Sequence, residues 1–324
     1  MREASEVGTA RRAVVTLAER LGSSEPVSGK VALIVTELAT NLVRHGRGGE
    51  LLVRAMPDPG NWLEIVAVDR GPGMASVDAA LRDGYSTGGS NGTGLGAIRR
   101  IADRCDIYSA LGGGTVVLTR VALGKSAAPS ARVVSGISVA KAGETVCGDA
   151  WAWASFPDRW SVLVADGLGH GPSAALASAE AVRMFREHAA ADPADVIGFA
   201  HDALRHTRGA ALGLAEVWPG RGQVTFTGVG NIGGTVITGG VGRNLVSHAG
   251  IVGHQCRKVQ PFTYPWSKES VLVLYSDGLQ TRWTLDKYPA LAARDPALLA
   301  AVLYRDFSRG TDDITVVAGR EASA

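Results

Sequence analysis

The sequence predicts a two-domain α/β chain, and three observations carry that prediction. The chain has 324 residues, which at roughly 150 residues per domain makes two domains, each large enough to bury a core. Residues 123–131, LGKSAAPSA, are short and polar-leaning and contain Pro129, as domain connections do. On both sides of this stretch, segments of helical period are interspersed with segments of strand period. The boundaries that follow are a first domain over 1–123, a linker over 124–130 and a second domain over 131–324.

Composition narrows the function. With 46% hydrophobic and 20% charged residues, the chain is not globally disordered. Lys and Arg number 33 against 31 Asp and Glu, and residues 1–123 hold 14 and 13 of them. Neither domain is therefore a basic module, and no nucleic-acid partner is expected. The three cysteines, Cys105, Cys147 and Cys256, are far apart and form no C-x-x-C pair, which fits a reducing compartment. The first twenty residues are broken by charges and lack a signal-peptide core, and no apolar run approaches the ~18 residues of a membrane span. A soluble, cytoplasmic chain without a membrane partner is the expectation. A homodimer is compatible with either domain and required by no feature.

The first domain opens with helical periodicity over 9–21 and 30–45. In the second stretch Val31, Ile34, Val35, Leu38, Ala39 and Leu42 make one apolar stripe, with Glu37 and Asn41 four residues apart beside it. Residues 51–55 and 63–68 alternate like paired strands around the P-D-P-G turn signal at 57–60. A glycine-rich segment at 84–96 leads into a helix near 95–104, and strands at 105–110 and 115–121 flank Leu111-Gly-Gly-Gly114. The second domain reads as strands at 132–139, 150–156 and 161–165, helices at 172–188 and 193–208, and strands at 211–217, 223–229, 233–238, 245–246, 271–275 and 313–318. That order implies a layered α/β or α+β domain.

Three clusters in the first domain carry chemistry: T-E-L-A-T-N-L-V-R-H at 36–45, V-D-R-G-P-G-M at 68–74 and Y-S-T-G-G-S-N-G-T-G-L-G at 85–96. Glu37 and Asn41 put a carboxylate and an amide on one helical face. The amide oxygen suits Mg²⁺, and the carboxylate could orient or deprotonate an attacking hydroxyl. Asp69, ending a strand, could accept a hydrogen bond from a base's amino group. Gly71 and Gly73 let backbone approach a planar ring, and the third cluster can fold over phosphates before a helix start. Each piece alone has a bland reading as a cap, a solvent-facing amide or a mobile glycine loop; the three in this order do not. Neither a P-loop nor a dinucleotide fingerprint is present.

These clusters resemble the ATPase fold shared by histidine kinases, gyrase and Hsp90 (the GHKL or Bergerat fold, an α/β sandwich), and most of all the RsbT-type serine/threonine switch kinases. The resemblance covers residues 10–121 and implies ATP with Mg²⁺ as cofactors. It places Glu37 as the catalytic carboxylate, Asn41 on magnesium, Asp69, Gly71 and Gly73 at the adenine, Gly92, Gly94, Leu95 and Gly96 around the phosphates, and Thr115 beneath the base. No phosphoacceptor-histidine segment precedes these motifs, which disfavours a histidine kinase, and a gyrase-like hydrolase would need coupled domains.

In the second domain carboxylates fall where strands should end: G-E-T-V-C-G-D-A-W (143–151), V-L-V-A-D-G-L-G-H-G (162–171), V-L-V-L-Y-S-D-G-L (271–279) and G-T-D-D-I-T-V-V (310–317). A carboxylate directly after an apolar strand must be exposed or neutralised. Four such aspartates could hold a pair of Mg²⁺ or Mn²⁺ ions and activate water for attack on phosphorus. His170, His201 and His206 do not make a zinc site and read as structural or exposed. The motifs are similar to the SpoIIE-like branch of the PPM/PP2C-type protein phosphatases, above all the compact RsbX type, over residues 131–320. That resemblance implies an αββα sandwich and two Mn²⁺ or Mg²⁺ ions held by Asp149, Asp166, the Gly167 carbonyl, Asp277 and Asp312, with Asp166 also catalytic. Asp313 falls where the family often has Asn. The G-V-G-N-I-G-G hairpin (228–234) reads as architectural, with Asn231 in a turn. No phosphate-binding arginine is assigned near the start of the domain, Arg132 included.

Together the resemblances imply a bifunctional kinase and phosphatase acting on Ser/Thr of STAS-domain antagonist or scaffold proteins in a sigma-factor partner-switching pathway. Two alternatives stand beside it: a phosphatase whose first domain only senses nucleotide, and a non-enzymatic, anti-sigma-like binding module.

Overall fold

The computed structural model describes residues 1–56, 61–81, 94–124, 132–256 and 259–322. The chain divides into two compact units, Met1–Ser130 and Ala131–Ala324. Among the described residues no helix is long and apolar enough to cross a membrane.

The first unit runs α1 (Ala4–Arg20), α2 (Glu25–His45), β1 (Gly49–Met56), β2 (Trp62–Asp69), α3 (Val77–Ala80), α4 (Gly94–Ile101), β3 (Arg104–Ser109) and β4 (Thr115–Ala122). Its strands form an antiparallel sheet in the order β1-β2-β4-β3. The predicted stripe on α2 is closed off from solvent, with Val31, Ile34, Val35, Leu38, Ala39 and Leu42 at most 2% exposed. It packs with Val14 and Ala18 of α1 and Ile98 of α4 on Leu63, Ile65 and Ala67 of β2 and on Val117 and Val121 of β4. Both long helices start about five residues before the periodicity does. Glu3 and Glu6 form a capping box ahead of α1, in which the Glu3 N–H donates to Glu6 Oε2 at 2.8 Å. Pro26 stands in the first turn of α2, where its fixed φ favours a helix start. The turn expected at 57–60 lies outside the described residues.

Because β2 alternates, Glu64 points away from those helices. It lies in register between Arg54 of β1 and Arg120 of β4, accepting from Arg54 Nη2 at 2.8 Å and from Arg120 Nε at 2.8 Å. Glu64 and Arg120 are both buried.

The second unit runs β5 (Arg132–Val139), β6 (Asp149–Ser155), β7 (Trp160–Gly167), α5 (Pro172–His188), α6 (Pro193–Ala203), β8 (Ala210–Trp218), β9 (Gln223–Val229), β10 (Gly233–Thr238), β11 (Val241–Asn244), β12 (Ser247–His248), β13 (Phe262–Pro265), β14 (Val271–Tyr275), α7 (Pro296–Phe307) and β15 (Ile314–Glu321). One sheet is ordered β12-β9-β8-β7-β6, with β13 also paired to β9; the other is β11-β10-β14-β15-β5. Trp160, Val164 and Phe226 of the first sheet meet Leu272, Leu274 and Val317 of the second in a shared core. Phe185 of α5 and Ile197 of α6 cover the outer face of the first sheet over Leu163 and Leu212, and α7 lies on β15 and β5. The layers are helix, sheet, sheet, helix.

The helix expected over 193–208 stops at Ala203 and tightens into a 3₁₀ turn at Leu204–His206. The strand expected at 245–246 falls between β11 and β12. Four elements fall outside the expected set: the short α3 and β11, and α7 and β13. In α7 the residues from Pro296 to Arg305 are all buried, so no polar face marks a helical period. The four-residue β13 is a short strand beside β9 with only partial burial.

Candidate functional site

In the first unit the motif residues gather around a cavity of about 350 Å³ whose lining includes Asn41, Asp69, Gly73, Gly94, Leu95 and Thr115. Asp69 ends β2, and its Oδ1 accepts from the Gly71 N–H at 2.8 Å and the Thr115 N–H at 3.1 Å. These two bonds hold the carboxylate at the cavity wall. Gly73 has φ +67°, and a Cβ there would run into the Ala110 carbonyl, so the turn tolerates only glycine. Ser109 ties the turn down, accepting from the Met74 N–H at 2.9 Å and bonding Thr115 Oγ1 at 3.0 Å.

Glu37 and Asn41 share one face of α2, as the spacing implies, and Gly94 passes beside both. A Cβ on Gly94 would lie 2.9 Å from Glu37 Oε2 and 3.8 Å from the Asn41 amide. Glu37 stands at the margin of the cavity, not among its lining residues; Gly71 and Gly96 are buried next to it. Gly92 and the rest of 82–93 lie outside the described residues. His45, outside the expected set, also lines the cavity. Its signal was present, since it follows Asn41 by four residues on the same helix.

In the second unit strand register assembles the aspartates. Asp149 opens β6 and Asp166 lies near the end of β7, and the two are direct cross-strand partners. Asp277 follows β14 by two residues, while Asp312 and Asp313 immediately precede β15; β14 and β15 are antiparallel neighbours. The Thr315 N–H donates to Ser276 Oγ at 2.8 Å, locking these two loops together. The Asp166 carboxyl is driven up to about 8, first by burial and then by the charges of Asp149, Asp277, Asp312 and Asp313. Burial likewise pushes Asp149 up to about 7. The hydroxyls of Ser276 and Thr315 oppose that rise, and the charges of Asp313 and Asp277 add to it. Five carboxylates from both sheets therefore feel one another.

Among the described residues nothing neutralises them. Among the described residues none of the five is ion-paired with Lys, Arg or His. Asp149 Oδ2 and Asp313 Oδ2 are buried without a hydrogen-bond partner. Orphaned, buried, anionic oxygens of this kind fit a hard divalent cation. Among the described residues no three Asp, Glu, His or Cys side chains close into a ready-made cage. Carboxylates that do not close into such a cage would suit an ion that keeps most of its waters. Gly167 lies against the Ala174 carbonyl of α5, too close to admit a Cβ. Cys147, two residues before Asp149, has its thiol pushed up to about 12 by burial and then by the Asp149 charge, so it stays protonated and is a poor ligand.

Two residues matter here beyond the expected set. Asn231 Nδ2 donates to Asp277 Oδ2 at 2.8 Å, so the residue expected only to shape a turn orients a carboxylate. Asp313 is buried, with Oδ1 accepting from the Lys141 N–H at 2.9 Å, and it joins the bowl beside Asp312. The histidines take structural partners: His170 Nδ1 bonds Glu144 Oε1 at 2.6 Å, and His201 Nδ1 accepts from the Gly253 N–H at 3.0 Å.

The family models and the curated relatives match each unit separately. The histidine kinase-like ATPase domain model matches residues 2–120, and the Stage II sporulation protein E (SpoIIE) model matches residues 157–320. The serine/threonine-protein kinase RsbT of Bacillus subtilis (strain 168) is 29% identical over 113 residues, 35% of this chain and 85% of that one. The phosphoserine phosphatase RsbX of the same organism is 26% identical over 141 residues, 43% of this chain and 70% of that one. Among solved structures, a chain from work on the bacterial stressosome as a modular system superposes with a TM-score of 0.56 at 24% identity, covering 59% of this chain and all of the other. That likeness is one of fold. The chain belongs to the SpoIIE family, with a histidine kinase-like ATPase domain ahead of the region that the family covers.

Proposed function

We propose that this chain is a bifunctional regulator, an ATP-dependent Ser/Thr kinase through residues 1–123 and a metal-dependent phosphoserine/phosphothreonine phosphatase through residues 131–324. Its substrates on this reading are STAS-domain proteins of a partner-switching pathway. The observation that carries the phosphatase half is the bowl of unneutralised aspartates with two orphaned buried oxygens. The names of the relatives, a serine/threonine kinase and a phosphoserine phosphatase, support the pairing of activities, and the stressosome fold likeness supports the choice of partner.

Bound Mg²⁺ or Mn²⁺ supplies charge neutralisation and an acidified water for attack on a phosphate monoester. The side chains of Asp149, Asp166, Asp277 and Asp312 and the Gly167 carbonyl would hold it. Asn231 fixes the direction of Asp277, and Asp313 adds a further negative charge felt by Asp149 and Asp166. In the kinase half Asp69 would accept from the adenine amino group, while Gly71 and Gly73 let backbone approach the ring and Thr115 supports it. Asn41 would hold the magnesium that accompanies ATP. Gly94, Leu95 and Gly96 would face the phosphates at the start of α4, and Glu37 would take the proton of the attacking hydroxyl; Gly92, assigned the same role, lies outside the described residues. Partners must separate the two activities in time, since together they would only cycle phosphate.

The test is phosphate release from a phosphorylated STAS protein with Mn²⁺, expected to vanish in Asp277→Asn; an unchanged rate would end the assignment. Transfer from γ-labelled ATP to the same protein is expected to vanish in Glu37→Ala while nucleotide binding persists. The position of Glu37 at the cavity margin favours one competing reading, a unit that only senses nucleotide. Absence of transfer in the unmodified chain would establish it. Asn231→Ala is expected to raise the Mn²⁺ concentration for half-maximal release by about 10-fold, read by metal titration.

A further inference from the structure

A dianionic phosphate ester approaching five aspartates needs a cation on the protein as well as bound metal, and Arg132 does not provide it. Its guanidinium bonds Ser155 Oγ at 2.9 Å and the carbonyls of Phe156 and Pro157. Ser155 ends the strand that Asp149 begins, about 20 Å away at ~3.3 Å per residue.

Arg208 is placed differently. It stands in the turn before β8, three residues ahead of Ala211, the cross-strand partner of Asp166. The Leu168 N–H donates to the Gly209 carbonyl at 3.0 Å, stapling the Arg208 turn onto the loop that leaves Asp166. Arg208 Nη1 lies 3.0 Å from where a Cβ on Gly169 would sit, and Gly169 has φ +90°. A side chain there would be strained and would crowd the guanidinium.

The backbone of this turn is held from both sides. The Gly209 N–H donates to Thr207 Oγ1 at 3.0 Å, His254 Nε2 bonds the Thr207 carbonyl at 3.1 Å, and the Ala210 N–H donates to the Val252 carbonyl at 3.0 Å. The side chain, by contrast, is exposed and among the described residues has no hydrogen bond or ion pair. Arg159 and Arg183 in the same unit are paired with Glu216 and with Glu180 and Glu187. An unpaired guanidinium on a fixed turn beside the Asp166 loop has the planar fork that matches phosphate oxygens bidentately.

We infer that Arg208 is the phosphate-binding side chain of the second unit, gripping the non-bridging oxygens of a phosphoserine or phosphothreonine above the aspartate bowl. This rests on the phosphatase reading for its substrate but not for its measurement. Inorganic phosphate is titrated calorimetrically into the full chain with Mg²⁺. Arg208→Ala is expected to weaken binding by about 10-fold or more, Arg208→Lys to fall between, and Arg205→Ala, on the neighbouring turn, to match the unmodified chain. With p-nitrophenyl phosphate and Mn²⁺, Arg208→Ala is expected to raise KM by about the same factor with kcat changed far less. Equal phosphate affinity in Arg208→Ala, or no phosphate binding by the unmodified chain, overturns the inference. Phosphate binding that depends on Arg208 in a chain that hydrolyses nothing keeps the anion site and removes the phosphatase reading.

Discussion

Replacing Asp166 by Asn is expected to abolish phosphate release, by about 100-fold or more, while making the metal-free protein more stable above neutral pH. The two effects share one cause. Asp166 is pushed up by burial and by four neighbouring carboxylates, so ionising it in the folded state works against like charge. In the unfolded chain it titrates near its ordinary value of 3.8. Between pH ~4 and pH ~8 the folded state therefore binds more protons than the unfolded one, and stability falls as pH rises through that window. Asp149 acts in the same sense. The Tm of the metal-free chain is expected to drop by about 5–10 °C from pH 5 to pH 8, and Mn²⁺ to restore it with release of protons. In Asp166→Asn the drop should shrink and the Mn²⁺ response disappear. A Tm that ignores both pH and Mn²⁺ would show that the carboxylates do not share a site.

Glu64→Leu is the second large effect, and it is one of folding. Glu64 accepts from Arg54 and Arg120 across three strands, and Arg120 is itself only 4% exposed. Removing one member of a buried charge set leaves the others uncompensated, which costs about 3–5 kcal/mol. For a unit of this size that is a Tm lower by about 10 °C or more. The double variant Glu64→Leu/Arg120→Met should recover much of the loss, because apolar groups of similar volume replace a buried pair at little expense. Calorimetry of the three chains checks both statements. A single variant as stable as the parent would mean that water reaches these guanidinium groups.

Much of this architecture is legible in the amino-acid sequence. The α2 stripe was legible because Val31, Ile34, Val35, Leu38 and Leu42 repeat on one helical face with polar residues between. Asp166 was legible because a charge directly after four apolar strand residues has few physical explanations, and Asp277 because it follows five such residues with one serine between. The helix α7 was invisible for the converse reason, since an element buried on every side carries no periodic signature. Likewise, nothing local marked Asn231 as a partner of Asp277, because 46 residues separate them and only the β10–β14 pairing brings the two loops together. Asp313 and Arg208 were hidden in the same way. Their roles come from which strand ends meet, and register between distant strands cannot be read from either strand alone.

The placement of the five aspartates also bears on mechanics. Asp149 and Asp166 belong to one leaf of the sandwich, whereas Asp277, Asp312 and Asp313 belong to the other. Like charge pries the leaves apart at this end, and a divalent ion seated between them would act as a rivet. On the proposed reading, loading would then govern how long the fold survives as well as whether phosphate is released, so metal starvation would remove the fold and that activity together.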